Sequence, residues 1–279
     1  MSDTVSADLV RFTTKNHVTT VTMNNPARLN GWTMEMMTAL AAALQRAAAD
    51  DQTKAVILTG TDPYYSAGVN LGGTIKLAHP RKLHAQIVEH NQALFDSFIN
   101  FPKPILVAAN GPAIGASVTS ATLCDGIIAS DRATFSTPFA ALGVPPEGCS
   151  SVLFSRLMGE ANAARMLGED GWKPTGAEAL EAGLAQWMVP HEELTSEAQR
   201  IAEDWLASGR ARTYRGDATA EELGAVNARE SVQVATAFLS APFLRGQYEF
   251  LRRKKKRGPA AIFFLLWRTR PVWSLLLGD

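Results

Sequence analysis

A single glutamate stands in the otherwise uncharged stretch PPEGCSSVLF (residues 145–154), and its carboxylate could act as a general base. Glu147 is the only charged residue between Arg132 and Arg156, and its neighbours are small or apolar. An ionised carboxylate in such surroundings costs free energy unless a partner or a reaction uses it. Apolar surroundings also raise a carboxyl pKa toward the range useful for proton transfer. The alternative is a loop acid or a helix-capping acid.

Two turns rich in small residues could bind an anion. YYSAGVNLGG (64–73) follows the apolar run KAVILTG, and NGPAIGAS (110–117) follows PILVAA. Small residues let a ligand approach the backbone, and free N–H groups at a helix start are directed toward anions. Two such N–H groups that converge on one oxygen form an oxyanion hole. The alternative is two tight turns that use small residues for packing.

Other catalytic patterns are incomplete. GASVT (115–119) lacks the last glycine of G-x-S-x-G, and HEEL (191–194) lacks the second histidine of H-E-x-x-H. His79, His84 and His90 have no metal-ligand spacing, and no complete G-x-G-x-x-G or Walker loop is present. The sequence therefore gives no sign of a bound metal, a nucleotide cofactor or a serine nucleophile.

Strands and helices alternate around these turns. Apolar runs predict strands over 17–25, 54–60 and 104–111 and at GIIAS and ATFSTP. Helices are predicted after a Thr33 N-cap, over 81–101 and from ASVTSATLCD. This alternation predicts an α/β fold of stacked βα units with a largely parallel sheet. Strand signals stop after about residue 160, which predicts a helical C-terminal region suited to oligomerisation.

Charge is balanced overall but unevenly distributed. The 279 residues carry 27 basic and 27 acidic side chains, and the length suits one large domain with at most a small appendage. Residues 252–279 hold eight Lys/Arg and one acid, a net +7, so residues 1–251 carry −7. Any polyanionic partner would therefore contact the C-terminus.

Several features favour a soluble intracellular protein. Cys124 and Cys149 do not form a disulfide framework, and the N-terminal residues lack a signal-peptide pattern. The uncharged residues 104–124 include prolines, glycines and Asn110, which favour a buried strand, a turn and a helix start over a membrane span. The chain ends in LGD and not in an S-K-L signal, so a cytoplasmic or a peroxisomal location is expected.

YYSAGVNL, NGPAIGASVTSATLCDGIIASDRATFSTPFAALG and PPEGCSS, in this order and spacing, resemble the crotonase (enoyl-CoA hydratase/isomerase) superfamily, most of all its peroxisomal-type Δ3,Δ2-enoyl-CoA isomerase branch. The resemblance runs from about Val10 to about Arg257. It implies a spiral of ββα units, with a core over 1–190 and a helical trimerisation region over 191–258, and it leaves 259–279 as a basic and apolar tail. Homotrimers or homohexamers are expected.

The resemblance also implies an acyl-CoA substrate and no separate cofactor, because CoA is part of the substrate. The oxyanion donors would be the N–H groups of Ala67 and Ala116. Hydratases of the family have two glutamates, at positions held here by Thr119 and Phe139, whereas isomerases have one, at Glu147. One carboxylate can take a proton from C2 and return it to C4. The residues expected to bind substrate are Arg28, Ser66, Gly68, Asn70, Leu71 and Gly115.

The tail leaves other functions open. The cluster RRKKKR beside AAIFFLLW could contact an anionic membrane surface through residues 252–273, or it could pack on a neighbouring subunit. The apolar run is too short to span a bilayer. A non-catalytic RNA-binding protein is a further alternative, although no aromatic stacking module accompanies the cluster. Hydratase and thioester hydrolase activities on the same fold are the enzymatic alternatives.

Overall fold

A mixed six-stranded sheet forms the centre of the fold. The computed structural model describes residues 9–70 and 78–277. The strand order is β1-β2-β3-β4-β6-β8, in which β1 and β2 pair antiparallel and every later pair is parallel. A separate pair, β5 and β7, is also parallel. The strands are β1 Val10–Lys15, β2 Val18–Met23, β3 Ala55–Gly60, β4 Ile105–Ala109, β5 Ala113–Ile114, β6 Gly126–Ser130, β7 Phe135–Ser136 and β8 Trp187–Val189.

Helices connect the strands and then make up most of the chain after residue 190. They are α1 Met34–Ala49, α2 Pro80–Ile99, α3 Ala116–Thr122, α4 Phe139–Leu142, α5 Ser150–Leu167, α6 Gly176–Glu181, α7 Leu194–Ala207, α8 Ala220–Phe238, α9 Ala241–Arg253 and α10 Arg257–Trp273. The predicted N-cap of α1 is confirmed, because the Thr33 hydroxyl accepts a hydrogen bond from the Met36 N–H. This bond satisfies one of the N–H groups that a helix start leaves free.

Both faces of the sheet are buried, which explains the uninterrupted apolar runs of β3 and β4. Val56 and Leu58 face the main core with α1 and α2, whereas Ile57 packs on the other face against α7. Successive strand residues point to opposite faces, so a strand covered on both sides must be apolar throughout. Each fully buried aliphatic side chain of this kind contributes roughly 1.5–3 kcal/mol.

The α/β fold with a helical C-terminal region is confirmed, but two strands differ from the prediction. β1 precedes the first predicted strand, and its alternation is weak because only Val10 is buried. β8 lies beyond residue 160, where strand signals were expected to have stopped, and it pairs with β6. Its three residues are all half-buried, so the segment is too short and too uniform to give a periodic signal.

The C-terminal tail is helical. Helices α9 and α10 pack against each other through an apolar cluster that includes Phe243, Leu251 and Phe263, and Leu83 of α2 joins the same cluster. Within residues 9–70 and 78–277, no helix is both long enough and apolar enough to cross a membrane. The tail is therefore an integral layer of this fold on the side of α2.

Candidate active site

Two loops that each follow a strand are joined by backbone hydrogen bonds. The Ser66 N–H donates to the Pro112 carbonyl at 3.2 Å, and the Ile114 N–H donates to the Ser66 carbonyl at 3.0 Å. Ser66 is buried, and its hydroxyl donates to the Asn30 carbonyl and accepts from the Gly68 N–H. This pairing fixes the loop after β3 against the loop after β4, so the two predicted anion-binding turns lie side by side.

A glycine with positive φ occupies each loop. Gly68 has φ +71°, and a Cβ placed there would lie 2.2 Å from the Ile114 carbonyl oxygen. Gly115 has φ +60° and precedes the first residue of α3. Such φ values are readily accessible only to glycine. The sequence motifs therefore require glycine at both positions for the backbone course, and at Gly68 also for the close approach of the second loop.

The residue after each glycine has an N–H group without an acceptor in the described part of the chain. Trp32 pairs with the residues on either side of Val69. The Trp32 N–H donates to the Gly68 carbonyl, and the Trp32 carbonyl accepts from the Asn70 N–H. The Val69 N–H lies between these bonds and has no partner of its own there. Ala116 begins α3, so its N–H has no acceptor within the helix.

Ala67 differs from the prediction. Its N–H donates to the Leu29 carbonyl at 2.9 Å, so this group is not free to bind a ligand oxygen in the structure. The observation argues against Ala67 as an oxyanion donor and points to Val69, two residues later. Sequence alone gave no means of distinguishing the two, because the direction of each N–H depends on the contacts with Trp32 and Leu29.

Residues of both loops and Glu147 line a cavity of about 160 Å³. It is lined by Ala67, Gly68, Val69, Ile114, Gly115, Ala116, Pro138, Phe139, Leu142, Val144, Glu147, Val234 and Phe238. Glu147 is the only ionisable side chain among these lining residues. Phe139 lines the cavity as a ring, and the buried Thr119 hydroxyl donates to the Ala116 carbonyl at 3.3 Å, so neither position supplies an acid.

The Glu147 carboxylate lies against α2. Its Oε2 accepts a hydrogen bond from the Asn91 Nδ2 at 2.6 Å. Burial raises the pKa of Glu147 to about 7, the Asn91 hydrogen bond opposes this rise, and the negative charge of Glu230 adds to it. A carboxyl group with a pKa near neutrality can both accept and return a proton. The expected effect of the apolar surroundings is thus present.

Asn91 and Glu230 were not identified from sequence, although the sequence contains a signal for each. Asn91 lies on the face of α2 that carries Ile87 and Leu94, and Glu230 lies between Val226 and Val234 on the buried face of α8. A polar residue at a core position of an amphipathic helix needs a partner. Such a position marks a candidate, but it does not reveal which residue the partner is.

A larger cleft of about 980 Å³ shares Ala67, Gly68, Val69 and Leu142 with the cavity. Arg28, at the end of the short 3-10 helix Pro26–Arg28, and Asn70 line it, as do Arg253 and Lys256 from the C-terminal basic cluster. Of the predicted residues, Ser66 lines neither space and supports the loop, and Leu71 lies outside the described residues. The C-terminal cluster therefore contributes two cations to a cleft that adjoins the Glu147 cavity, and Glu249 lines the same cleft.

Sequence comparison identifies proteins that are similar to this chain. The chain is 33% identical over 265 residues to "Enoyl-CoA delta isomerase 2" of Rattus norvegicus, which covers 88% of this chain and 63% of that protein. It is 37% identical over 186 residues to "Enoyl-CoA delta isomerase 3, peroxisomal" of Mus musculus, which covers 66% of this chain and 58% of that protein. The chain thus spans less than two thirds of the length of these two relatives.

The fold comparison gives the same result. The crystal structure of an enoyl-CoA hydratase/isomerase from Pseudoalteromonas atlantica T6c aligns with a TM-score of 0.72 at 29% identity, over 88% of this chain and 97% of that one. The family model described as "Enoyl-CoA hydratase/isomerase" matches residues 13–239, which include every described residue of the cavity. The chain therefore belongs to the enoyl-CoA hydratase/isomerase family.

Proposed function

We propose that this chain is an acyl-CoA isomerase that converts a 3-enoyl-CoA into the trans-2-enoyl-CoA, with Glu147 as its acid–base group. The observation that carries the proposal is the cavity itself. Among its described lining residues, Glu147 is the one ionisable side chain, and the N–H groups of Val69 and Ala116 have no acceptor in the described part of the chain. Adding water across a double bond by the route of the family's hydratases would use two carboxylates. A single carboxylate suits a transfer within one substrate molecule.

The N–H groups of Val69 and Ala116 would hold the thioester oxygen. When a base removes the C2 proton, negative charge moves to this oxygen, and donors aimed at it stabilise the dienolate. Both donors belong to the backbone, and the loops that carry them are fixed to each other through Ser66. Support for Val69 over Ala67 comes from the hydrogen bond that already occupies the Ala67 N–H.

Glu147 would make both proton transfers. Its ionised form takes the proton from C2, and the C3–C4 double-bond electrons become part of the dienolate. The protonated Glu147 then delivers the proton to C4, which leaves the double bond between C2 and C3 and restores the carboxylate. The pKa near 7 supports this role because neither form is strongly favoured at neutral pH.

The larger cleft would bind the CoA moiety. Arg28, Arg253 and Lys256 line it, and guanidinium and ammonium groups bind phosphate oxygens through charge-assisted hydrogen bonds. The cleft shares lining residues with the cavity, so a thioester could place its phosphates among these cations and its reactive carbons beside Glu147. Arg28 keeps its predicted role of substrate binding in this proposal. Arg253 and Lys256 of the C-terminal basic cluster join it as partners of the CoA phosphates.

We further infer that another copy of this chain covers the exposed stripe on α10, in a homotrimer or homohexamer. Phe264, Leu265 and Val272 lie on one side of the helix and are 43%, 46% and 74% exposed. Residues 252–279 carry +7 and residues 1–251 carry −7, so copies are complementary in charge. Light scattering tests this inference, and a monomer that sediments with anionic vesicles would instead favour the membrane-surface contact.

The activity is tested by incubating the purified protein with trans-3-hexenoyl-CoA. We expect the absorbance of a conjugated 2-enoyl-CoA to appear, and Glu147→Gln to abolish this change. Isomerisation by the variant at the wild-type rate would overturn the assignment of Glu147. Release of free CoA would indicate a thioester hydrolase, and consumption of 2-enoyl-CoA to a 3-hydroxyacyl-CoA would indicate a hydratase.

A further inference from the structure

We propose that Glu230 is a positioning residue for Glu147: its carboxylate fixes the loop that carries Glu147 and places a like charge beside it. The inference rests on the proposed function, in which Glu147 is the acid–base group. Glu230 is 1% exposed and lies on α8, which packs against α2. It does not line the cavity, so it acts through Glu147 and not on the substrate.

The Glu230 carboxylate caps helix α5 from outside. Its Oε2 accepts from the Cys149 N–H at 2.7 Å, and its Oε1 accepts from the Ser151 N–H at 3.1 Å. These N–H groups flank Ser150, the first residue of α5, and the Cys149 side chain provides no cap of its own. One carboxylate thereby satisfies two N–H groups at the helix start, of which the Cys149 N–H would otherwise be buried without an acceptor.

This cap controls the backbone next to Glu147. Gly148 and Cys149 both have φ +65°, a conformation that costs a residue with a Cβ, such as Cys149, more than it costs glycine. Ser150 closes the turn: its N–H and its hydroxyl donate to the Glu147 carbonyl at 3.3 and 2.7 Å. The bonds from Glu230 to residues 149 and 151 hold this tight reversal in place.

A second route leads from the same turn of α8 to the Glu147 side chain. Ser231, the residue after Glu230, donates from its hydroxyl to the Asn91 Oδ1 at 2.9 Å. Asn91 donates in turn to Glu147 at 2.6 Å. Adjacent residues of α8 therefore fix the Glu147 backbone through α5 and its carboxylate through α2. The two routes together orient one side chain, and Glu230 anchors the first of them.

Within the described residues, polar and charged groups from α2, α5 and α8 act on this pair. Asn91 of α2 and Glu230 of α8 act on the Glu147 carboxyl, and the charge of Glu230 raises the pKa of Glu147. Burial raises the pKa of Glu230. The hydrogen bonds that its carboxylate accepts from Ser151 and Cys149, and the positive charge of Arg229, lower this pKa. Asp96 of α2 lies close enough to act on the Cys149 thiol.

The test compares Glu230→Gln with Glu230→Asp and with Glu221→Gln, a matched control on an exposed position of the same helix. Glu230→Gln removes the like charge beside Glu147. We expect the pH midpoint of kcat/KM to move to lower pH, and the Glu147 signal in a ¹³C-carboxyl NMR titration to move the same way. Glu221→Gln should leave both midpoints unchanged. Unchanged midpoints in Glu230→Gln would overturn the electrostatic part of the proposal.

Glu230→Asp tests positioning, because it keeps the charge but shortens the side chain. We expect kcat to fall about 10- to 100-fold, the range for a displaced catalytic group, with the NMR midpoint close to that of the wild type. A wild-type kcat would overturn the positioning role, and this variant remains informative if Glu230→Gln fails to fold. The NMR titration needs no turnover. Full activity in Glu147→Gln would therefore refute the proposed function without deciding the effect of Glu230.

Discussion

Asn91 Nδ2 donates to Glu147 Oε2 across 2.6 Å, and within the described part of the chain it is the one hydrogen-bond partner of this carboxylate. The bond stabilises the ionised form, which acts against burial, and it points the carboxylate along one direction in the cavity. Asn91 comes from α2, whereas Glu147 precedes α5. The reactivity of Glu147 thus depends on how two helices distant in sequence pack together.

Removing this hydrogen bond should make Glu147 harder to ionise. In Asn91→Ala we expect the pKa of Glu147 to rise, so the pH midpoint of kcat/KM moves to higher pH. A hydrogen bond to a charged group is worth about 1.5–3 kcal/mol, so activity at neutral pH should fall at least about tenfold. Gln92→Ala, one residue further along α2, is the control. A profile identical to that of wild type would show that Asn91 does not act on Glu147.

Folding stability should depend on pH through Glu147. The pKa of Glu147 is about 7 in the folded protein, whereas its ordinary value is 4.5. The contribution of Glu147 to the free energy of unfolding is therefore fully present below pH 4.5 and is lost as the pH rises through 7. Glu147→Gln cannot ionise. Its Tm should exceed that of wild type by about 2–6 °C at pH 8, and the difference should shrink toward pH 5. A difference that does not vary with pH would contradict the raised pKa.

Gly68 should tolerate no side chain. Gly68→Ala would place a Cβ 2.2 Å from the Ile114 carbonyl oxygen, at a backbone φ of +71°, and relieving the contact would separate the two loops. We expect a loss of more than about 2 kcal/mol in urea unfolding and no isomerase activity. Gly224→Ala on α8, with no atom within 4 Å of its Cβ, should be neutral or stabilising by up to about 1 kcal/mol. Equal effects at both glycines would argue against the close approach.

Only some residues of the basic cluster should affect CoA binding. Arg253 and Lys256 line the larger cleft, whereas Lys254 and Lys255 do not. Arg253→Ala or Lys256→Ala should weaken CoA binding in calorimetry by roughly 2- to 5-fold, as expected for exposed ion pairs. Lys254→Ala and Lys255→Ala serve as controls with the same charge change. Equal losses in all four variants would indicate general electrostatic attraction and not a defined phosphate site.

Much of the fold could be predicted because buried positions produce a hydrophobic pattern in the sequence. The runs of β3 and β4 are apolar on both faces, and the Thr33 cap and the α1 pattern mark a helix start. β8 gave no such signal, because its three apolar residues, Trp187–Val189, are all half-buried and too few to show a period. β1 has one buried residue, Val10, and its pairing with β2 depends on that neighbour and not on its own composition.

The residues of the candidate site also fall into those that the sequence could indicate and those that only the structure shows. Glu147 stood out in the sequence as a charge among apolar residues, but its predicted role as the acid–base group came from the family resemblance. The hydrogen bond from the Ala67 N–H to the Leu29 carbonyl could not be foreseen, since the direction of an N–H depends on backbone contacts between segments. Asn91 and Glu230 stood out only as polar residues on apolar helix faces, and their shared target became visible when α2, α5 and α8 were seen together.

The hydrogen bonds between the Ser66 loop and the Pro112–Ile114 loop have a consequence for how this protein can change. The proposed oxyanion donors are backbone N–H groups, so their spacing is set by the course of the two loops, which depends on Gly68, Gly115 and the buried hydroxyl of Ser66. The proposed acid–base group is a single side chain, Glu147, on a separate loop. In the proposed mechanism, activation of the thioester and the choice of reaction are therefore separable, and a substitution at position 147 would alter the proton transfer without rebuilding the means of stabilising the enolate.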